Sequence, residues 1–358
     1  MGFETLRFMC GALYKDFILA SCLEFNGLYK IYYETGENEY LGSFPNETLV
    51  SKNLHRNAFI VNDLVYFIPY KAINIQVYNI SRRSFYEITV ERNGYKGGYI
   101  GIQSNEDIYL VPESKGGSVL KLDTKTDNIK IMVTADTLLT IINSDKVSSK
   151  LFLRICLQND RLWLPLYKTN IILELIVTSG RIIKHNLNIE NIFGCFNGKN
   201  GIWILGNNGN SIYKWDLQSC SVIKMDYDCN CMRKKRCFNW IIDIGSNVYV
   251  LPAWGESILI LKNNEFVEFE CVDKTNTIYQ KFFASICSDG DIFLLPMGIE
   301  YMLKIEGNEI REIELQKINS ESKLYDEILH TCVNETFEEP LNENTILSLY
   351  QFIAGLIS

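Results

Sequence analysis

One short phrase recurs along this chain and limits the possible folds more than any other feature. It is a polar turn followed by an aliphatic residue, an aromatic, two aliphatics and usually a proline. Copies read Val65-Tyr66-Phe67-Ile68-Pro69, Ile108-Tyr109-Leu110-Val111-Pro112 and the shorter Leu162-Trp163-Leu164-Pro165. They continue as Ile202-Trp203-Ile204-Leu205-Gly206, Val248-Tyr249-Val250-Leu251-Pro252 and Ile292-Phe293-Leu294-Leu295-Pro296. A degenerate first copy, Ile18-Leu19-Ala20-Ser21-Cys22, lacks both the aromatic and the proline. The copies end at Cys22, Pro69, Pro112, Pro165, Gly206, Pro252 and Pro296, in steps of 47, 43, 53, 41, 46 and 44 residues. That period matches one four-stranded propeller blade, and the seven copies account for roughly residues 6 to 317.

The grammar around each copy supports the same architecture. A β-prone run precedes it (58–61, 99–103, 282–287), then a turn such as Asn62-Asp63, Asn159-Asp160 or Asp289-Gly290, whose residues accept the positive φ of tight hairpins. The phrase itself is almost continuously apolar, as a strand buried on both faces must be. A third run alternates (Val119-Leu120-Lys121-Leu122-Asp123), and a fourth is more polar (Glu309-Ile310-Arg311-Glu312-Ile313), which suits an outer edge. Proline cannot donate to a ladder, so it marks the end of the second strand.

On this period and strand grammar the chain resembles the kelch-like group of β-propellers over about 310 residues. Its glycine pairs, Gly97-Gly98 and Gly116-Gly117, stand elsewhere than the kelch double glycine, and Trp215-Asp216 ends a third strand in the manner of a WD repeat only once. The resemblance implies an all-β, seven-bladed propeller over residues 1–317, with blade 1 near 8–44 and blade 7 ending near 315. An acidic helical tail fills 318–358.

The tail differs in charge as well as pattern. The whole chain carries −8, and seven acids against a single base, Lys323, put −6 of it in residues 318–358. Ser322 to Thr331 carries Leu324, Ile328 and Leu329 at helical spacing. After Pro340, Asn344 or Thr345 can cap a second helix whose apolar stripe is Ile346, Leu349, Tyr350, Ile353, Leu356 and Ile357. This stripe is expected to dock on the chain's own propeller, leaving the acids from Glu335 to Glu343 in solvent.

Charge and composition narrow the partners. The acidic balance argues against a broad phosphate-binding surface, hence against nucleic acid. No run approaches the ~18 apolar residues needed to span a bilayer, and the first residues show neither a basic-then-apolar leader nor a myristoylation motif. Eleven cysteines without framework spacing suit a reducing cytoplasm. Cys220, Cys229, Cys231 and Cys237 could offer four thiolates, but their C-x8-C-x-C-x5-C spacing is not that of a zinc ribbon, so no metal is expected. His55, His185 and His330 fall in separate linkers or the tail. Gly206-Asn207-Asn208-Gly209 lacks the lysine and helix of a phosphate loop and reads as a turn. No cofactor is implied.

The loops after the second strands hold the candidate ligand-binding residues: Tyr70, Lys71, Glu113, Tyr167, Lys168, Trp254, Glu256 and Glu300. Aromatics interleaved with charges suit a protein surface, a sugar or another small ligand. Arg154 and Asp243 are charged where other first strands are apolar. Three functions follow: a non-catalytic protein-interaction module or scaffold, a carbohydrate- or small-ligand-binding propeller, and a lyase or glycosidase. The last would draw a carboxylate pair from Glu113, Glu256 and Glu300. The absent catalytic motifs favour the first, without membrane or nucleic-acid partners.

Overall fold

The structure is a computed structural model that describes residues 6–142, 148–227, 236–272, 280–288 and 290–316. These residues form seven four-stranded antiparallel sheets, each made of four strands consecutive in sequence. The blades cover 8–42, 55–88, 99–133, 156–186, 194–225, 238–271 and 282–314. The fold is a seven-bladed β-propeller. The chain divides into two compact units, blades 1, 2 and 7 in one and blades 3 to 6 (Val90–Lys281) in the other.

Each recurring phrase is the second strand of its blade, and proline is the last strand residue in five of them: Pro69, Pro112, Pro165, Pro252 and Pro296. Val65, Tyr66, Phe67 and Ile68 are wholly inaccessible. Burying side chains of this size contributes about 1.5–3 kcal/mol each. The preceding turns take the expected left-handed backbone, with φ of 55° at Asn62, 53° at Asn105, and 53° and 56° at Asn159 and Asp160. Asparagine and aspartate accept this conformation because their short polar side chains bond locally.

The cores form between neighbouring blades. Phe8, Ile18 and Tyr29 of blade 1 pack with Phe293, Leu295 and Met302 of blade 7. Leu19 and Phe17 on the other side of blade 1 pack with Val65, Phe67 and Tyr78 of blade 2. In the second unit, Leu162 and Leu164 join blade 3, while Cys156 and Trp163 join blade 5. Alternation along each strand therefore serves two cores at once.

One element has no counterpart in the repeat. A helix, α1 (Ala135–Ile142), fills the connection between blades 3 and 4, where the repeat step is longest. Thr134 caps it by accepting the Thr137 amide on Oγ1 at 3.3 Å, and Leu138 and Ile142 enter the core beside Leu151 and Phe152. The tail segments Ser322–Thr331 and 344–357 lie outside the described residues.

Blades 7 and 1 meet without exchanging a strand. Gln316 donates its amide to Gly36 O at 3.0 Å and accepts from Asn38 Nδ2 at 2.8 Å. A side chain at Gly36 would strike the backbone oxygen of Glu314, 1.8 Å from an added Cβ, so this position requires glycine. Arg311 Nη1 meets Glu34 Oε2 at 2.6 Å across the same junction.

Candidate functional site

The loop that follows the second strand stands at the end of the blade where the first strand begins. Strand register fixes this: Pro69 pairs with His55, Pro112 with Tyr99, and Pro252 with Phe238. The next residue then ties its backbone down. The amides of Leu23, Tyr70, Glu113 and Ala253 donate to the carbonyls of Arg7, Leu54, Gly98 and Cys237, each the residue just before its blade's first strand. In blade 2 the amides of Tyr70, Lys71 and Ala72 all converge on Leu54 O, at 2.7, 3.1 and 3.1 Å. The Ile73 amide is held by Glu47 Oε1 at 2.9 Å. These loops are pinned platforms, and Ile73 is 61% exposed on top of one of them.

A second regularity aims side chains at this end. In blades 1, 2, 6 and 7 the first strand carries a β-bulge just after its first pair, at Met9, Arg56, Asn239 and Phe283. A bulge adds one residue and redirects the chain locally. Arg56 of blade 2 lies 5.0 Å from the ring centre of Phe283 in blade 7, reaching over blade 1, and 5.7 Å from Tyr70.

Around blades 1 and 2 the surface is rich in charge. Arg7 forms an ion pair with Glu24, both mostly buried. Burial raises the Glu24 carboxyl above its ordinary range, opposed by the Arg7 charge. Burial lowers the Lys52 ammonium, Glu24 raises it, and Lys71 and Arg7 lower it further. Beneath them, His55 is wholly buried, its Nδ1 2.9 Å from Ser21 Oγ and its ring 4.3 Å from that of Phe44. Desolvation pushes its pKa down to about 3, so it is neutral.

Blades 4 to 6 hold their arginines on rings. The Arg154 guanidinium stands 4.6 Å from the Trp240 ring centre, crossing blade 5 over Gly194, where any Cβ would lie 2.4 Å from that of Arg154. Arg236 lies 4.2 Å from Phe193 and 5.2 Å from Trp254, and its Nη2 donates to Gln280 Oε1 at 3.0 Å. It packs over Gly209, within a loop where Asn207, Asn208 and Gly209 all have positive φ. Tyr167 donates from its hydroxyl to Asn208 Oδ1 at 3.4 Å, and the Lys168 ammonium is 5.3 Å from the Tyr167 ring.

The sequence-selected residues therefore divide by environment. Tyr70, Tyr167 and Trp254 are half-buried, Lys71, Lys168 and Glu300 are exposed, and Glu256 is half-buried with its backbone oxygen accepting from Val272. Glu113 is only 6% exposed, and its backbone is bound on both sides, to Gly98 and Leu151. Asp243 belongs to the opposite end of its strand, where it accepts from Lys199 N at 3.0 Å and Trp203 Nε1 at 3.2 Å. It clips blade 6 to blade 5.

The histidines need correction. His55 and His185 are strand residues rather than linker residues. His185 Nε2 is 2.7 Å from Glu174 Oε2, and Arg161 pairs with the same carboxylate beside Trp163 and Trp215. Of the four loop cysteines, Cys220 is exposed and Cys237 buried, while Cys229 and Cys231 lie outside the described residues, as does His330. Sequence reasoning missed Arg7, Lys52, Arg56 and Arg236. Each lies within three residues before a first strand or at its bulge, a place that only the strand pairing reveals.

No family model matches the chain, and no curated protein matches it either. Solved structures do match. YCF48 from Cyanidioschyzon merolae is similar over 84% of this chain and 96% of its own, at 13% identity and a TM-score of 0.60. PorZ, a surface component of the type-IX secretion system of Porphyromonas gingivalis, is similar over 88% of this chain and 39% of its own, at 10% identity and a TM-score of 0.59. A chain of the Mitotic Checkpoint Complex is similar over 87% of each chain, at 8% identity and a TM-score of 0.53. At such identities the likeness is one of fold.

Proposed function

We propose that this chain is a non-catalytic protein-interaction module of kelch-like repeat type, acting from the pinned loops that follow its second strands. The observation that carries this reading is the build of those loops. Their backbones are fixed by hydrogen bonds to the start of the first strand, while Tyr70, Ile73, Tyr167 and Trp254 keep ring or aliphatic surface accessible beside Lys71 and Lys168. Rigid aromatic and aliphatic anchors with charges at their margin are what protein interfaces use as hot spots, because little conformational entropy is lost on binding. The Arg236 guanidinium, 5.2 Å from the Trp254 ring centre, holds that indole as a rigid anchor. Free thiols such as Cys156 and Cys195, with sulfurs 3.5 Å apart, accord with a reducing cytoplasm. No helix among the described residues is long and apolar enough to cross a membrane.

The test uses the full chain as bait in affinity capture with quantitative mass spectrometry. Proteins held by the wild type should be lost from the pair Tyr70→Ala/Ile73→Ser or from Tyr167→Ala/Trp254→Ala, with unchanged thermal unfolding. Capture that survives both pairs, or binding on a glycan array that depends on Trp254, would overturn the reading.

A further inference from the structure

We infer that Cys156 and Cys195 are a latent disulfide, which hydrogen peroxide closes to bind blade 4 to blade 5. This stands whether or not the loops hold a protein partner. The two sulfurs lie 3.5 Å apart, the Cys156 thiol donating to the Cys195 sulfur, and both are buried. Cys195 in turn donates to the Trp163 carbonyl at 3.1 Å. The backbone has already brought them together. Cys156 opens the first strand of blade 4, and Cys195 is the second residue of the first strand of blade 5. Arg154 and Gly194 form a parallel bridge between these two stretches, and the Cys195 amide donates to Arg154 O at 3.2 Å. Hydrogen-bonded backbones run about 5 Å apart, within the ~4.4–6.8 Å between Cα atoms that a disulfide spans. The sulfurs need to approach by only about 1.5 Å to reach bonding distance, which small changes in the two side-chain torsions supply.

The chemistry leaves no charge behind in the core. Peroxide gives one oxygen to the Cys195 sulfur, and the displaced hydroxide departs with the thiol proton as water, leaving a sulfenic acid. The Cys156 sulfur then attacks the Cys195 sulfur. The S–O bond breaks, the S–S bond forms, and the Cys156 proton leaves with the hydroxyl as a second water. That proton already points at Cys195. Two thiols lose two electrons, and one peroxide gains them. Burial, and after it the hydrogen bond and charge of Cys195, hold the Cys156 thiol well above its ordinary range. Want of thiolate makes the reaction slow, so the pair answers sustained oxidation rather than a brief pulse. Burial also selects the oxidant by size, admitting a neutral molecule little larger than water. The closed bond joins positions 39 apart in sequence and so restricts the unfolded chain across two blades.

The test exposes the reduced full chain to hydrogen peroxide without denaturant, alkylates the remaining thiols, and maps disulfides by mass spectrometry of unreduced digests. A peptide linking Cys156 to Cys195 should be the main product in monomeric protein. The melting temperature should rise with it by about 5 °C and return on reduction. In Cys156→Ala the reaction should stop at the Cys195 sulfenic acid, which dimedone added with the denaturant labels. Oxidised glutathione should cap the exposed Cys220 while leaving the pair free. The proposal is overturned if Cys220 oxidises and no Cys156–Cys195 peptide forms, or if that peptide appears only in denaturant. It is overturned equally if the two cysteines link to others instead, if glutathione caps them as readily as Cys220, or if the link lowers the melting temperature.

Discussion

Blade 1 and blades 4 to 6 hold arginines at the same end of the repeat by opposite means, and blade 2, with Arg56 on Phe283 and Tyr70, sides with the latter. In the first group Arg7 faces the buried carboxylate of Glu24, and a neutral imidazole, His55, is sealed beneath. In the second group Arg154 and Arg236 rest on Trp240, Phe193 and Trp254, with Gln280 as the amide partner of Arg236. A buried ion pair attracts strongly but must offset the desolvation of both charges, and it is tied to pH. A guanidinium on an indole gains less, yet nothing in the contact titrates near neutrality. The same end of the repeat therefore carries a pH-sensitive cation in blade 1 and insensitive ones in blades 4 to 6.

The largest test of this contrast is Arg7→Met, which strands the Glu24 carboxylate. Denaturant unfolding should show a loss of about 3–5 kcal/mol, and Arg7→Met/Glu24→Leu should recover most of it. A double variant no better than the single one would mean that Arg7 acts by packing alone.

Acidification is the next test. His55 has a folded pKa of about 3, below its unfolded value. The unfolded state therefore binds the proton first, and stability present above about pH 6.5 is lost as pH falls toward the folded value. Between pH 7 and pH 5 the loss should be about 2 kcal/mol, read as a falling melting temperature. His55→Gln should flatten that slope. Burial raises Glu24, so its own contribution runs the other way and returns on acidification, which Glu24→Gln separates.

In the second unit, Arg154→Met should cost about 1 kcal/mol, the value of a partly desolvated cation–π contact. The cost should not change between pH 5 and 7. A pH-dependent cost would erase the contrast. Smallest of all is Arg311→Ala, since Arg311 and Glu34 are both about half exposed. It should change stability by under about 1 kcal/mol, and salt should reduce that further.

Much of the fold was legible because one strand per blade is buried on both faces and ends in proline, a combination that periodicity and backbone chemistry both mark. The helix Ala135–Ile142 was hidden, since eight residues give barely two turns of pattern and its sole clear signal is the Thr134 cap. The loop surface was half legible. Tyr70, Tyr167 and Trp254 could be found by counting from the second strand, but Arg7, Lys52 and Arg236 come from connections of unequal length that counting does not reach. His55 looked like a linker residue because a bulge, invisible in sequence, begins the pairing of its strand one residue early. Glu113 looked available because a position after proline is usually exposed; here two backbone hydrogen bonds draw it in.

Every blade is contiguous in sequence, and the first and last are joined by contacts such as Asn38 to Gln316, 278 residues apart. During synthesis each sheet can therefore zip up from its own hairpins as soon as it leaves the ribosome, with low contact order. The flank of blade 1 that blade 7 will cover, with Phe8, Ile18, Tyr29 and Tyr33, is complete long before its partner exists. At about 5–20 residues per second, that apolar wall waits some 13–50 s for Phe293, Leu295 and Met302. The nascent chain spends that interval with one apolar flank uncovered, the condition under which partly made proteins associate wrongly.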